Sequence, residues 1–502
     1  MNRFLSSASV AMLALAASGC ATPVPQALTP ADVPAEFTAP IKTSKQVWPQ
    51  ADWWKSFDSP ELAGFVETAQ ANNLDLAAAY ARVLQAEARS GVARSAFFPQ
   101  IGLSAGATHS GANQKLSLTG TGPSAYVQQD RLTAGLDASY QLDLFGQNRA
   151  NFRAAQESLR SSRYAQQVVA LTVEANTANA YLNVLALRER LQLAHRNVDA
   201  ANSVLKIIQA KVDNGVASNL DLAQEQAQVA GQKAQIPVLE QQEREARYAL
   251  ALLLGRVPEG LDVKAKNMTA VSAPVVVPGM PSELLARRPD VAEAEAALAS
   301  AHANVDAARA AFFPNISLSA SGGFASAALG SLFQGSSMLY SAGAQLLQTI
   351  FDGGLLASES DLAKAQQMEL IANYRSAVLN AFSDTETALG RVSSLAEQER
   401  LVDEQVRNAT EAFRISQIQY REGVADLLAV LQAQQTLFTS EDTLAQIRLA
   451  QLQASVGLYA ALGGGWVQEA EANTQIIPTP KPVTPVSAPA PAAAPTPAPQ
   501  QP

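Results

Sequence analysis

The chain has 502 residues, a formal net charge of −9, 48% hydrophobic and 6% aromatic residues, and a single cysteine. An acidic chain has no positive footprint for phosphates, so no nucleic-acid partner is expected, and one cysteine leaves no intrachain disulfide. No apolar run of about 18 residues follows the first twenty, which excludes a transmembrane helix beyond that point.

Residues 1–19 read as a signal peptide: Arg3, an apolar stretch, then small residues. Ala17-Ser18-Gly19-Cys20 resembles a bacterial lipobox, with Ala17 where that pattern prefers Leu. The resemblance implies lipidation of Cys20 (S-diacylglycerol plus an N-acyl group). No other cofactor is expected. Residues 20–59 read as a lipid-anchored tether, and Ala21 in place of Asp points to the outer membrane. Trp53 and Trp54 near its end suit either a membrane interface or packing, with packing favoured.

Residues 60–255 form a first repeat. A helix is expected over 60–95, broken before Pro99. The period then changes to two, giving strands at about 100–108 and 131–144 with a Gly/Ser/Thr-rich loop over 109–125. Leu132, Ala134, Leu136, Ala138, Tyr140, Leu142 and Leu144 alternate with Thr133, Gly135, Asp137, Ser139, Gln141 and Asp143. That length and alternation suit a tilted strand with lipid on one side and water on the other. A long helix runs from Gly146 to about Val212, stops at Asn214-Gly215, and is followed by a second helix over 219–254 in which Pro237 should introduce a bend.

After a linker at 256–281 the chain repeats itself over 282–466. Residues 72–106 align with 287–321, Phe97-Phe98-Pro99 falling on Phe312-Phe313-Pro314, and Asn214-Gly215-Val216 aligns with Glu422-Gly423-Val424. The second copy supplies strands at about 315–322 and 337–350 and helices over about 355–421 and 425–462. Residues 467–502 form a Pro/Ala-rich tail expected to be disordered.

Four amphipathic strands per chain cannot close, and an open edge in lipid leaves backbone groups unsatisfied. Two chains would give eight strands packed solid; three would give twelve around a lumen, which the Ser, Thr, Gly, Gln and Asp face suits. The expected class is mainly α with membrane β, a β-barrel continuous with a long α-helical barrel. His109, His195 and His302 are dispersed, and no metal or nucleotide motif occurs, so no enzyme is expected.

Several segments in order resemble the TolC-like outer-membrane efflux family, in particular its lipoprotein exit ducts of tripartite RND drug pumps (the NodT/OprM-like branch). They are Trp53-Trp54-Lys55-Ser56-Phe57-Asp58, Arg287-Arg288-Pro289-Asp290, both Phe-Phe-Pro segments, Leu144-Phe145-Gly146 and Leu462-Gly463-Gly464-Gly465-Trp466. The resemblance implies a homotrimer in outer-membrane lipid with a twelve-stranded barrel. It would passively conduct drugs or other small molecules from the periplasm and dock a periplasmic adaptor (membrane fusion protein) joined to an inner-membrane RND transporter. By position it implies an adaptor-contact role for the turns Gly215, Val216, Ala217 and Gly423, Val424, and a tip gate at Asp221, Tyr420, Asp426, Leu428 and Gln432. Tyr420 with Asp221 would hold neighbouring helices together, and Leu428 would form an apolar constriction. Ala429 and Gln432 stand where relatives carry pore aspartates; Asp426 would supply an acidic ring one turn earlier. The alternatives are an exit duct for type I protein secretion or metal export, and a lipid-anchored periplasmic coiled-coil scaffold without a pore.

Overall fold

A computed structural model of the chain describes residues 37–38, 48–115, 124–274 and 280–467. The signal peptide, Cys20, most of the tether, part of the linker and nearly all of the Pro/Ala-rich tail lie outside the described residues.

The helices follow the duplication. α1 (Pro60–Asn72) and α2 (Leu74–Ser95) precede the first hairpin; α3 (Gln147–Asp213) and α4 (Asn219–Leu253) follow it. In the second copy α5 (Pro289–Ala310) precedes the hairpin, and α6 (Leu355–Arg421) and α7 (Leu427–Ala461) follow it. α3 and α6 have 67 residues each, so both span about 100 Å at 1.5 Å per residue. Each starts after a glycine held at positive φ, Gly146 (84°) and Gly354 (95°). α4 is continuous through Pro237, so the proline does not end it.

The single helix expected over 60–95 is two. Asn73 takes an extended conformation (φ −65°, ψ 133°), and its Oδ1 accepts from the N–H groups of Asp75 and Leu76. Its Nδ2 donates to the Leu253 carbonyl at the end of α4, 2.9 Å away. One asparagine thus caps α2 and satisfies an orphan carbonyl of another helix.

The core lies midway along the long helices. A short 3-10 turn, Trp53–Phe57, drives three aromatic rings inward. Trp53 is 1% exposed and stacks on Tyr459 of α7 at 5.2 Å, while its indole N–H donates to Glu174 of α3 at 3.3 Å. Packing, not a membrane interface, holds both tryptophans. Nearby, Arg288 at the start of α5 is buried and makes a bidentate pair with Asp290 (3.0 and 2.7 Å). It also reaches Asp384 of α6 (3.1 Å) and donates to the Ala461 carbonyl that ends α7 (3.1 Å). Arg288-Pro289-Asp290 therefore builds the corner: proline starts the helix and the arginine ties it to two others.

The strands β1 (Gln100–Lys115), β2 (Ser124–Leu142), β3 (Asn315–Ser326) and β4 (Met338–Leu347) form one antiparallel sheet in chain order. Register places Leu103 opposite Leu136, Tyr140 opposite Leu318, and Ile316 opposite Leu346. The apolar residues singled out by alternation from Leu132 to Leu142 therefore fall on one face with their partners, while Leu144 lies past the end of β2; that face is open, Leu103 being 81% and Tyr340 82% exposed. The other face carries Ser104, whose hydroxyl donates to Asp137 at 2.8 Å, and the Ser321–Ser341 pair. The loop expected over 109–125 is corrected: β1 continues to Lys115 and β2 begins at Ser124. Eight residue pairs of this hairpin extend past the end of β3, roughly 25 Å of ribbon. Its side chains are mostly polar, and His109 and Asp130 pair there at 2.6 Å.

The candidate periplasmic tip

At the end of the molecule opposite the sheet, two helix hairpins turn side by side: α3 into α4 and α6 into α7. Each turn is the same device. Gly215 (φ 70°) accepts the left-handed conformation that ends α3; its N–H bonds the Val212 carbonyl, and the Val216 N–H bonds the Lys211 carbonyl at 2.8 Å. Gly423 (φ 77°), Val424 and Gln419 repeat the pattern, with the Val424 N–H bonded to the Gln419 carbonyl at 2.8 Å. These are Schellman closures, which satisfy the last helical carbonyls. Ser218 then caps α4 through a capping box: its Oγ accepts from the Asp221 N–H (3.1 Å), and Asp221 accepts from the Ser218 N–H (3.0 Å). Asp426 caps α7 by accepting from the Ala429 N–H at 3.0 Å.

The carboxylates read as gate residues thus also terminate helices. Val216, Val424, Leu220 and Leu428 are 58–76% exposed, so the tip presents apolar side chains outward. Gln432 is exposed too, and Ala217 half-buried. Tyr420 is the opposite, 7% exposed in a cluster with Val204, Ile208, Phe413, Leu427 and Val430. The Lys211 ammonium sits 4.4 Å from its ring centroid and donates to its carbonyl. Burial, then the charges of Asp221 and Glu225, raises the Tyr420 pKa. The Tyr420 hydroxyl has no hydrogen-bond partner within the protomer, so Tyr420 and Asp221 are close in field but unbonded. Replacing Asp221 with Ala is expected to cost about 1 kcal/mol of tip stability by removing its half of the capping box, the bond from the Ser218 N–H. It should also raise single-channel conductance; an unchanged conductance would remove Asp221 from the gate.

Two residues here were not legible in the sequence. Glu225 of α4 and Gln434 of α7 are both fully buried (0% exposed). They sit among Ala and Gln residues whose exposed and buried positions look alike. The two Glu225 oxygens and both Gln434 amide atoms lack partners of ordinary hydrogen-bond geometry. Burial pushes the Glu225 carboxyl up to about 7, and the facing Gln434 amide pulls it only partly back.

Outside this pair, a groove of about 590 Å³ runs between the hairpins, lined by Lys206, Ile207, Lys211, Val216, Arg421 and Gly423 among others. Among the described residues no group of three or more His, Cys, Asp or Glu converges to hold a metal, and His195 and His302 lie on separate helices.

The chain matches the family described as outer membrane efflux protein over residues 65–256 and 280–464. It is 42% identical over 415 residues to the pyoverdine export outer membrane protein OpmQ of Pseudomonas aeruginosa, covering 82% of this chain and 87% of that one. It is 32% identical to the toluene efflux pump outer membrane protein TtgC of Pseudomonas putida, covering 94% and 99%. The solved structure of the outer-membrane channel OprN superposes with a TM-score of 0.79 at 28% identity, covering 86% of this chain and 98% of that one.

Proposed function

This chain belongs to the outer membrane efflux protein family, and from that premise we propose that three copies form the exit duct of a tripartite efflux system. It is an outer-membrane channel component, not an enzyme. The observation that carries the trimer is the sheet: four strands sorted into an apolar and a polar face, with no partner strand at the outer edges of β1 and β4 among the described residues. Copies placed edge to edge pair those edges, put the apolar face in lipid and enclose the polar one. The helices then continue the lumen into the periplasm for about 100 Å.

The partners that fit this reading are a periplasmic adaptor at the tip turns and an inner-membrane RND transporter that supplies the energy. The groove lined by Lys206, Lys211 and Arg421 is the surface an adaptor hairpin would meet. The gate would comprise Tyr420, Asp221, Asp426, Leu428 and Gln432. Cys20 would carry the lipid; palmitate labelling of the protein should vanish in Cys20→Ser, and persistent label would refute that anchor.

The cargo class is small molecules, with drug efflux supported by the toluene pump relative. The 42% identity to a protein named for pyoverdine export favours a second reading, export of pyoverdine or a molecule like it. A deletion strain separates the two: drug sensitivity marks the first, periplasmic accumulation of pyoverdine the second. Light scattering of the detergent-extracted protein, corrected for detergent, tests the duct. Three chains are expected, and a monomer would return the scaffold reading.

A further inference from the structure

Glu225 lies six residues into α4, about 9 Å from its first residue at the tip. A fully buried carboxyl group met by no more than one poorly aligned amide is expensive when charged and tolerable when protonated. Its neighbour Gln434 is in the same situation, and the Tyr420 hydroxyl makes a third buried polar group without a partner. Three helices thus converge on a dry polar spot next to the turns that shape the tip.

We propose that Glu225, packed against Gln434 at the α4–α7 contact, is a proton-binding site that couples the packing of the periplasmic tip to periplasmic acidity. The proposal rests on the duct reading. Protonated, Glu225 is a neutral acid that α7 can cover. Ionised, it demands water, and water reaches it only if α4 loosens from α3 and α7, the helices that cover it. The packed tip therefore binds the proton and the loosened tip releases it.

The groups around the site leave this logic intact. On its own helix Asp221 lies one turn away and adds negative charge. α6 presents Tyr420, and α3 presents Lys211, whose ammonium is committed to the Tyr420 ring and carbonyl. α7 carries no titratable side chain from Leu427 to Ser440. Lys206, Asp213, Arg421 and Glu422 are exposed around the turns. Duplication confines the device to one kind of contact, because the counterparts of Glu225 and Gln434 at the offset of 208 are Ala433 and the exposed Gln226.

The pH window follows from the two states. The packed value is about 7 and the ordinary carboxyl value is 4.5. Stabilisation of the packed tip is fully present below 4.5, is lost as pH rises from there through 7, and changes no further above it. Within the window the loosened-to-packed ratio rises by at most about tenfold per pH unit.

The test is conductance of the full-length trimer in phosphatidylcholine planar bilayers from acid to mildly alkaline pH, with Glu225→Gln, Gln434→Leu and Glu174→Gln beside it. Glu174 is a second buried carboxyl raised to about 7, but it lies 39 residues before the end of α3, about 60 Å away from the tip. Wild type and Glu174→Gln should rise severalfold across the window and then level. Glu225→Gln should stay at the low acid value throughout. Gln434→Leu should displace the rise to higher pH, since the amide that lowers the Glu225 value is gone. Tip amide exchange over 211–225 and 420–434, corrected for intrinsic rates, should follow the same three patterns. A Glu225→Gln channel that tracks wild type, or flat wild-type conductance and exchange in a conducting trimer, overturns the proton site. A wild type that never conducts at any pH overturns the duct reading instead.

Discussion

Replacing Arg288 with alanine is expected to destabilise the protomer by roughly 3 kcal/mol and to remove most trimer from the outer membrane. The guanidinium makes two bonds to Asp290, one to Asp384, and one each to the carbonyls of Ala381 and Ala461. Asp384 is 54% exposed and can turn to water, so its share is small. The Ala461 carbonyl cannot: it belongs to the last turn of α7 and is covered by the corner itself. The loss comes from that carbonyl being left with only a long bond from the Thr385 hydroxyl (3.4 Å), from the vacated volume, and from the release of α5 from α6 and α7. Arg288→Lys should fall between, since an ammonium cannot keep the fork to Asp290 while reaching both helices. Thermal melts of the detergent-extracted protein would measure both, and an Arg288→Ala protein melting within a degree or two of wild type would refute the account.

A comparable effect is expected from one methyl group in the sheet. Gly323 pairs directly with Gly135 across β2 and β3, the seam where the two repeats join. A Cβ on Gly323 would lie 2.4 Å from the Ala134 carbonyl oxygen and 2.5 Å from the Gly135 Cα. Both are backbone atoms, so no side-chain rotation relieves the overlap. Gly323→Ala should therefore separate the seam and prevent barrel closure, giving monomer and little heat-resistant oligomer on gels. Gly322→Ala next to it is the comparison, because a Cβ there meets nothing within 4 Å. Normal trimer yield from Gly323→Ala would show that the seam can widen.

Much of this architecture could be read from residues because the signals were periodic or punctuating. Gly146, Gly215, Gly354 and Gly423 mark helix ends that positive φ requires, and the alternation from Leu132 to Leu142 sorted the sheet faces. Two features were lost for identifiable reasons. Asn73 interrupts an alanine-rich stretch that favours helix on either side, and its decisive partner is 180 residues away at Leu253. The ribbon beyond Thr108 is mostly polar, with Tyr126 and Val127 adjacent rather than alternating, so its pairing comes from backbone bonds and leaves no hydrophobic rhythm. Within the tip, Gly215 and Gly423 were visible as turns. The burial of Glu225 and Gln434 was not, because polar residues in an amphipathic helix advertise water until a neighbouring helix covers them.

The equal helix lengths restrict how such a molecule can change. α3 and α6 match at 67 residues, and α4 and α7 at 35. Deleting one residue from α3 alone would shorten it by about 1.5 Å and turn everything beyond the deletion by about 100°. The hairpin would then point its contacts at the wrong neighbours and leave its turn out of level with the other. Insertions and deletions should keep the two turns level only when both copies change together and the helix phase is restored. Its height is thus a ratcheted quantity, changed without losing register only by matched steps in both copies.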